Sequence, residues 1–518
     1  MKTEIEIRNG TVIDGTGKPP FKADILISQG RILDIGQCPR GDAERIIDAS
    51  SKVVAPGWVD IHTHADFTLL TNPPADSFVQ QGTTTAVIGN CGFSLAPIRD
   101  KFKRELEQYI EPFTYGVGFS SDWHDYPEFL KLLEERGLGL NVAPLVGHGS
   151  LRVAVMGFDR RDPSRDEMNE MKEILDRYME EGAVGLSTGL TYPPGSFSKT
   201  NEIVELCTVV ARHKGIYTSH TRGVAHEGIE EAIQIGEMAK VPVHISHMGR
   251  PESFKPIEEA RKRGLDATFD LYPYTAGSSY LASRLPGWVH EGGLENLLKK
   301  IKEPENRDRI KRDLEGKFNW NYTLIAYIES EKIKNYQGKT IQQLADISKR
   351  HPIDVLCNIL IESNGHASHI TLQQWAEESV KAAFTHPAMM VGSDGWPVSA
   401  RKPFNEGLVH PRCYGTYPKV LGRYVRENRL LSLESAVHKM TALPAKKVGF
   451  TDRGTLERQK RADIVIFDPN KILDTATFEV PHSYPMGVEY VIVNGQLTVE
   501  RGRHTGKLSG KVLLRKLA

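Results

Sequence analysis

Val53-Val54-Ala55-Pro56-Gly57-Trp58-Val59-Asp60-Ile61-His62-Thr63-His64 is the stretch on which the reading of the fold turns. An apolar run broken by Pro-Gly reads as a loop entering a buried strand, and that strand ends in two histidines. Side chains two apart in a strand share a face, so His62 and His64 project together. Two imidazoles on one rigid strand suit zinc. An HxH is by itself a weak signal, and its weight depends on what else the chain brings to the same place.

Downstream of His64, apolar strand-like runs alternate with amphipathic helical stretches, the pattern of βα units around a parallel sheet. Strands are predicted over 58–62, 84–89, 140–146, 184–187, 216–219, 243–246, 266–271 and 389–392. Helices are predicted over 167–181, 201–213, 228–239 and 257–263. Eight such units spell an α/β fold of the (β/α)8 TIM-like barrel type, whose chemistry sits at the C-terminal strand ends. The charged, helix-rich stretch 285–350 separates strands seven and eight and reads as an insertion that acts as a lid over the barrel mouth. Short β-like runs precede the barrel, as in Glu4-Ile5-Glu6-Ile7, and return after it, as in Ile464-Val465-Ile466-Phe467. They predict a small β-sandwich domain from both termini, 1–57 plus 450–518, with the catalytic barrel, 58–449, between them.

Lys plus Arg equals Asp plus Glu at 66 each in 518 residues, which gives no reason to expect nucleic acid or an anionic membrane as partner. The first residues lack the apolar run of a signal peptide, and no later run is long enough to span a bilayer. Cys38, Cys91, Cys207, Cys357 and Cys413 are odd in number and scattered, unlike a disulfide framework. A soluble protein of a reducing cytoplasm is expected.

Other candidate ligands fall at the same rim. Cys91 follows strand two in Gly89-Asn90-Cys91-Gly92, His220 ends strand five, His247 ends strand six, and Asp394 ends strand eight in Ser393-Asp394-Gly395. Singly, each has a plain explanation: a hydrogen-bonded histidine, a small buried hydrophobe, a turn. Jointly, in barrel order, they point to a metal site. His244 shares the facing of Ser246 and reads as structural, as do His213, His226, His290, His366, His369 and His386 on helices or loops. His148 reaches the rim without an assignable role.

With these motifs in view, the chain resembles the amidohydrolase superfamily and, within it, the N-acyl-D-amino-acid deacylase (D-aminoacylase) family. The match runs essentially the full length. It rests on the 56–64 segment, Gly89-Asn90-Cys91-Gly92, Gly185-Leu186-Ser187-Thr188-Gly189-Leu190, Ile245-Ser246-His247, Asp270-Leu271-Tyr272-Pro273-Tyr274, Ser393-Asp394-Gly395 and His410-Pro411-Arg412-Cys413. The resemblance implies a metal-dependent hydrolase that removes the acyl group from N-acyl-D-amino acids through a metal-bound hydroxide. Cys91, His220 and His247 would hold one tight Zn2+, and His62 and His64 would line a second, weaker position with Cys91 bridging. Many relatives bridge two metals through a carbamylated lysine after strand four, but Val184-Gly185-Leu186-Ser187 offers none, and the Cys91 thiolate supplies the negative ligand instead. Asp394 would act as general base and then acid. A free carboxylate on the substrate needs a cation, and Arg412 is the best candidate because a guanidinium binds carboxylate bidentately. By the same resemblance Tyr272 and Ser278 help to hold it, and Tyr192 lines the site.

Two departures lie near the expected substrate pocket. Deacylases commonly carry a lysine two residues beyond the strand-six histidine, where this chain has Gly249; Arg250 and Lys255 are nearby cations. The interval between Asp394 and His410 is also lengthened by Arg401-Lys402-Pro403-Phe404-Asn405-Glu406. Competing readings are a cyclic amidase of hydantoinase or dihydroorotase type and a catalytically silent scaffold. The missing strand-four lysine counts against the first, and the full ligand set against the second.

Overall fold

The computed structural model describes residues 3–38, 43–114, 121–223 and 226–515. Its central sheet has eight parallel strands in chain order: Trp58–Asp60, Thr83–Ile88, Asn141–Gly147, Gly185–Gly189, Ile216–His220, Val243–Ile245, Ala267–Leu271 and Met389–Val391. Each overlaps one of the expected strands. All six residues of Thr83–Ile88 are buried, as befits a parallel strand covered on both faces. Ala86 and Ile88 join the large core under the helices, whereas Val87 joins Ile61, Leu145, Val184, Ile216 and Met390 in a separate cluster inside the ring. Helices pack outside. Arg165–Glu180 starts at a capping box of Ser164 and Glu167 and buries Met168, Met171, Ile174, Leu175 and Tyr178.

The ring closes just beyond its first and last strands, where Thr63 and Gly395 form a parallel bridge. The Asp394 amide donates to the His62 carbonyl and the His64 amide to the Gly395 carbonyl, each at 2.8 Å. Barrel closure therefore brings three of the candidate side chains to one place.

Strands from both termini share a nine-stranded mixed sheet. Val53–Pro56 is its seam: it pairs in parallel with Ile5–Val12 and antiparallel with Ile464–Phe467. Ile7, Ile25, Ile27, Val54, Ile464 and Ile466 belong to this unit's own core. Gly57 then carries the chain into the barrel. A Cβ there would lie 2.1 Å from Thr84 Cγ2, so only glycine fits the crossing.

Between strands seven and eight the chain adds a three-stranded antiparallel sheet, ordered Gly277–Tyr280, Ala367–Thr371, Thr323–Ile328, with helices that include Gly293–Lys300 and Pro352–Glu362. The expectation for 285–350 was of helices; Thr323–Ile328 is a strand within those bounds, and the strand it pairs with, Ala367–Thr371, lies outside them. His369, expected on a helix or loop, is in the middle strand of this sheet. Among the described residues no helix is long and apolar enough to cross a membrane.

Candidate metal centre

Cys91, His247 and Asp394 each leave their strand with a positive φ, of 53°, 38° and 51°. Non-glycine residues in this region are strained by roughly 1 kcal/mol or more, and such strain collects at functional sites. Here it turns three side chains toward a common centre. The Cys91 thiol lies 3.2 Å from His62 Nε2, 3.8 Å from His220 Nδ1 and 3.7 Å from His247 Nε2. Asp394 Oδ1 lies 3.4 Å from His62 Nε2 and 3.2 Å from His64 Nε2. Two groups of donor atoms overlap at Cys91: His62, His64, Cys91 and Asp394, and Cys91, His220 and His247, each within 4.8 Å of one another. All six side chains expected at the rim are thus brought together.

Asp270 organises them from behind. Its carboxylate faces His62 Nδ1 at 3.0 Å and His244 Nε2 at 2.9 Å, and accepts the His247 amide at 2.9 Å. Thr268 Oγ1 holds the other nitrogen of His244 at 2.9 Å, so that histidine is part of the support. Thr191 Oγ1 holds His220 Nε2 at 2.7 Å. On His62 and His220 the nitrogen that points away from the centre is thus fixed, and this presets which nitrogen faces inward. Neither Asp270 nor Thr191 was given a role from sequence. The signal for Asp270 was an acid inside the buried run Ala267-Thr268-Phe269-Asp270-Leu271.

Burial alone would raise the Cys91 thiol, yet the His62 charge and hydrogen bonds with His220 and His247 bring it well below its ordinary range. Burial likewise opposes ionisation of Asp394, but Arg412 and His62, with the His64 hydrogen bond, hold its carboxyl well below the usual range. The counterpart appears on the histidines. Despite burial, Asp270, Cys91 and Asp394 raise His62 well above its normal value, and Asp394 and Cys91 raise His64 to about 9. Buried negative charge here collects protons, and a divalent cation would release them. Imidazoles with one thiolate form a donor set that suits zinc. His64 Nδ1, buried without a hydrogen-bond partner, adds an unspent donor.

The adjoining pocket has about 400 Å³ of empty space and is lined by His64, Cys91, Tyr192, Ser278, Asp394 and Arg412, with Phe93, Phe113 and Trp396 as aromatic walls. Arg412 is buried; its Nη1 lies 2.7 Å from Asp394 Oδ2, and its guanidinium stacks 4.7 Å from the Tyr272 ring. Its Nε has no hydrogen-bond partner. Tyr272 therefore sits beneath Arg412 rather than in the lining. Ser278 lines the pocket while donating to the His369 carbonyl at 3.2 Å, and the Tyr192 ring lies 4.6 Å from that of His220. At Gly249 a Cβ would come within 2.8 Å of the Trp375 ring, so an indole fills the space a longer residue would need. Arg250 and Lys255 are exposed and face Glu252 and Glu259. His148 is buried against Glu202 at 2.8 Å, which also binds Arg152 at 2.6 Å.

Residues 45–499 match the amidohydrolase family model. The chain is 33% identical to a D-aminoacylase from Alcaligenes xylosoxydans xylosoxydans over 526 residues, covering 99% of this chain and 98% of that one. It is 34% identical to an N-acyl-D-aspartate deacylase from the same organism, covering 98% and 94%. Among solved structures, an N-acyl-D-glutamate deacylase from Bordetella bronchiseptica, complexed with zinc and a phosphonate inhibitor, superposes with a TM-score of 0.82 at 32% identity, covering 99% and 100%. A D-hydantoinase structure, at 16% identity and a TM-score of 0.56, shares the fold alone.

Proposed function

The chain belongs to the amidohydrolase family, and from that premise we propose that it is a zinc-dependent deacylase of N-acyl-D-amino acids. The observation that carries the reading is the pairing of Arg412 with Asp394 beside the cysteine and histidine ring. A buried guanidinium with an unspent donor suits a substrate carboxylate, and it stands next to the groups that would handle the amide.

Cys91, His220 and His247 would hold the tight zinc; His62 and His64, with Cys91 shared, would hold the weaker one. Bound there, the metal supplies Lewis acidity, polarising the scissile carbonyl and lowering the pKa of a water from ~15.7 towards ~7. Asp394 takes the proton from the attacking water and passes it to the leaving amine. Its Oδ2 is pinned by Arg412, which leaves Oδ1 facing His62 and His64. Arg412 turns its remaining donors to the α-carboxylate, Ser278 adds a hydroxyl, and Tyr192 and the aromatic walls exclude water. Tyr272 orients the guanidinium through its ring face. D-selectivity is proposed from the deacylase relatives at 32–34% identity, which are named D-aminoacylase, N-acyl-D-aspartate deacylase and N-acyl-D-glutamate deacylase.

The same proposal takes the terminal strands, 1–57 with 450–518, as a β-sandwich domain and 58–449 as the catalytic barrel. The 285–350 insertion serves as a lid, since its sheet neighbours Ser278, Ser279 and Ser368 roof the pocket. A small-molecule substrate in the cytoplasm completes it. A cyclic amide need not carry a free carboxylate for Arg412, which disfavours the alternative of a cyclic amidase of hydantoinase or dihydroorotase type. The test is a pair of variants. Asp394→Asn should keep zinc and lose turnover, whereas Cys91→Ala should lose zinc. Loss of zinc from Asp394→Asn would contradict its role as the proton carrier.

A further inference from the structure

A second hollow, open in part to solvent, lies behind the aromatic wall of the pocket. Tyr109, Phe158, Tyr280, Ala282, Leu294 and Leu297 give it a largely carbon surface. The wall between the two spaces is built of pocket-side rings packed on cavity-side rings. Phe113 and Tyr192 line the pocket, and their chain neighbours Pro112 and Pro193 line the cavity. Tyr280 lines the cavity and packs on the pocket's wall: its ring is 5.5 Å from Phe113 and 5.7 Å from Tyr192, centre to centre. Phe93 on the pocket side stacks on Tyr109 at 4.5 Å. Joining the two spaces would take a movement of a pocket-side ring, Phe113 or Tyr192, together with Tyr280 behind it.

We infer that this cavity receives the acyl chain of the substrate, so that the enzyme takes straight, uncharged acyl groups longer than acetyl. The inference rests on the deacylase reading above. The carboxylate end of an N-acyl amino acid is assigned to Arg412, and the acyl group must leave the reacting carbon in another direction. The aromatic wall is the apolar boundary of the pocket, and the cavity lies directly behind it. Charge in the lining narrows the class further. Glu105 is the acidic side chain in the lining, and buried His290 is pushed down to about 4, so it is neutral at pH 7. A chain ending in a carboxylate would meet Glu105 with no cation from the lining to offset it.

The experiment is a kcat/KM series on zinc-loaded protein, using N-acetyl, N-butanoyl, N-hexanoyl and N-octanoyl derivatives of one D-amino acid. Each methylene moved out of water is worth about threefold to fourfold, so hexanoyl should exceed acetyl by roughly tenfold or more. N-adipoyl, of the same length but ending in a carboxylate, should fall well below hexanoyl. Ala282→Phe, which fills the cavity, should erase the rise from acetyl to hexanoyl, and Leu297→Trp is a second variant with the same expected effect. A flat or falling series with good N-acetyl turnover would overturn the inference and leave the deacylase reading standing. No turnover at any length would overturn both.

Discussion

Asp270→Asn removes one buried negative charge while keeping the shape of the side chain. The carboxylate accepts from the His247 amide at 2.9 Å and faces His62 Nδ1 at 3.0 Å and His244 Nε2 at 2.9 Å. An asparagine could still accept from the amide through its oxygen, but its NH2 group would have to donate to a histidine nitrogen that now serves as donor. If it donates to His62, the imidazole proton moves to Nε2, the nitrogen that faces Cys91 and Asp394. That tautomer cannot bind a metal through Nε2. Loss of such a supporting partner costs about 10-fold to 100-fold in metal affinity, or about 1.4–2.8 kcal/mol. The loss should fall mainly on the weaker zinc position, which uses His62, and much less on Cys91, His220 and His247. A two-site zinc titration by calorimetry, with melting of the metal-free protein to check folding, reads this directly. Both affinities staying within about threefold of the parent, or selective loss of the tight position, would refute the reasoning.

Arg412→Lys keeps the charge but loses the planar fork, so kcat/KM on N-acyl-D-amino acids should fall by roughly 10-fold to 100-fold, with zinc content unchanged. A change below about threefold would remove Arg412 from carboxylate recognition. At the opposite end of the barrel from the site, Lys447 is depressed by burial to about 8 despite Asp266 nearby. Its folded value lies below the unfolded 10.5, so the unfolded chain holds the proton more tightly between these limits. Stability from this group should therefore rise as pH goes from about 8 to 10.5 and be flat below. Lys447→Met should flatten that part of the stability curve by an amount on the order of 2 kcal/mol, measured by denaturant unfolding. An unchanged slope would contradict it.

The barrel was legible because its strands are short apolar runs, several of which end in the candidate site residues. Cys91, His220, His247 and Asp394 stand at strand ends in the order that a closed ring brings together, and closure through Thr63 and Gly395 completes the set with His62 and His64. Support from behind was harder to read. Asp270 sits mid-strand, and its contacts with His62 and His247 exist only once strands one, six and seven curve into a ring. The roof was misread in part. Thr323-Leu324-Ile325-Ala326-Tyr327-Ile328 is a short apolar run whose partner strand, Ala367–Thr371, lies 39 to 48 residues further along the chain pair by pair, so the run alone did not distinguish a strand from a helical segment. The fate of Gly249 also needed three dimensions, because Trp375, which fills its space, arrives from 126 positions later in the sequence.

The most direct test of the central claim is amine release from matched N-acetyl-D- and N-acetyl-L-amino acids by zinc-reconstituted protein. Turnover confined to the D series, dependent on zinc and absent in Asp394→Asn, is the predicted result. Turnover of the L series alone, or of neither series while cyclic amides are opened, would contradict it.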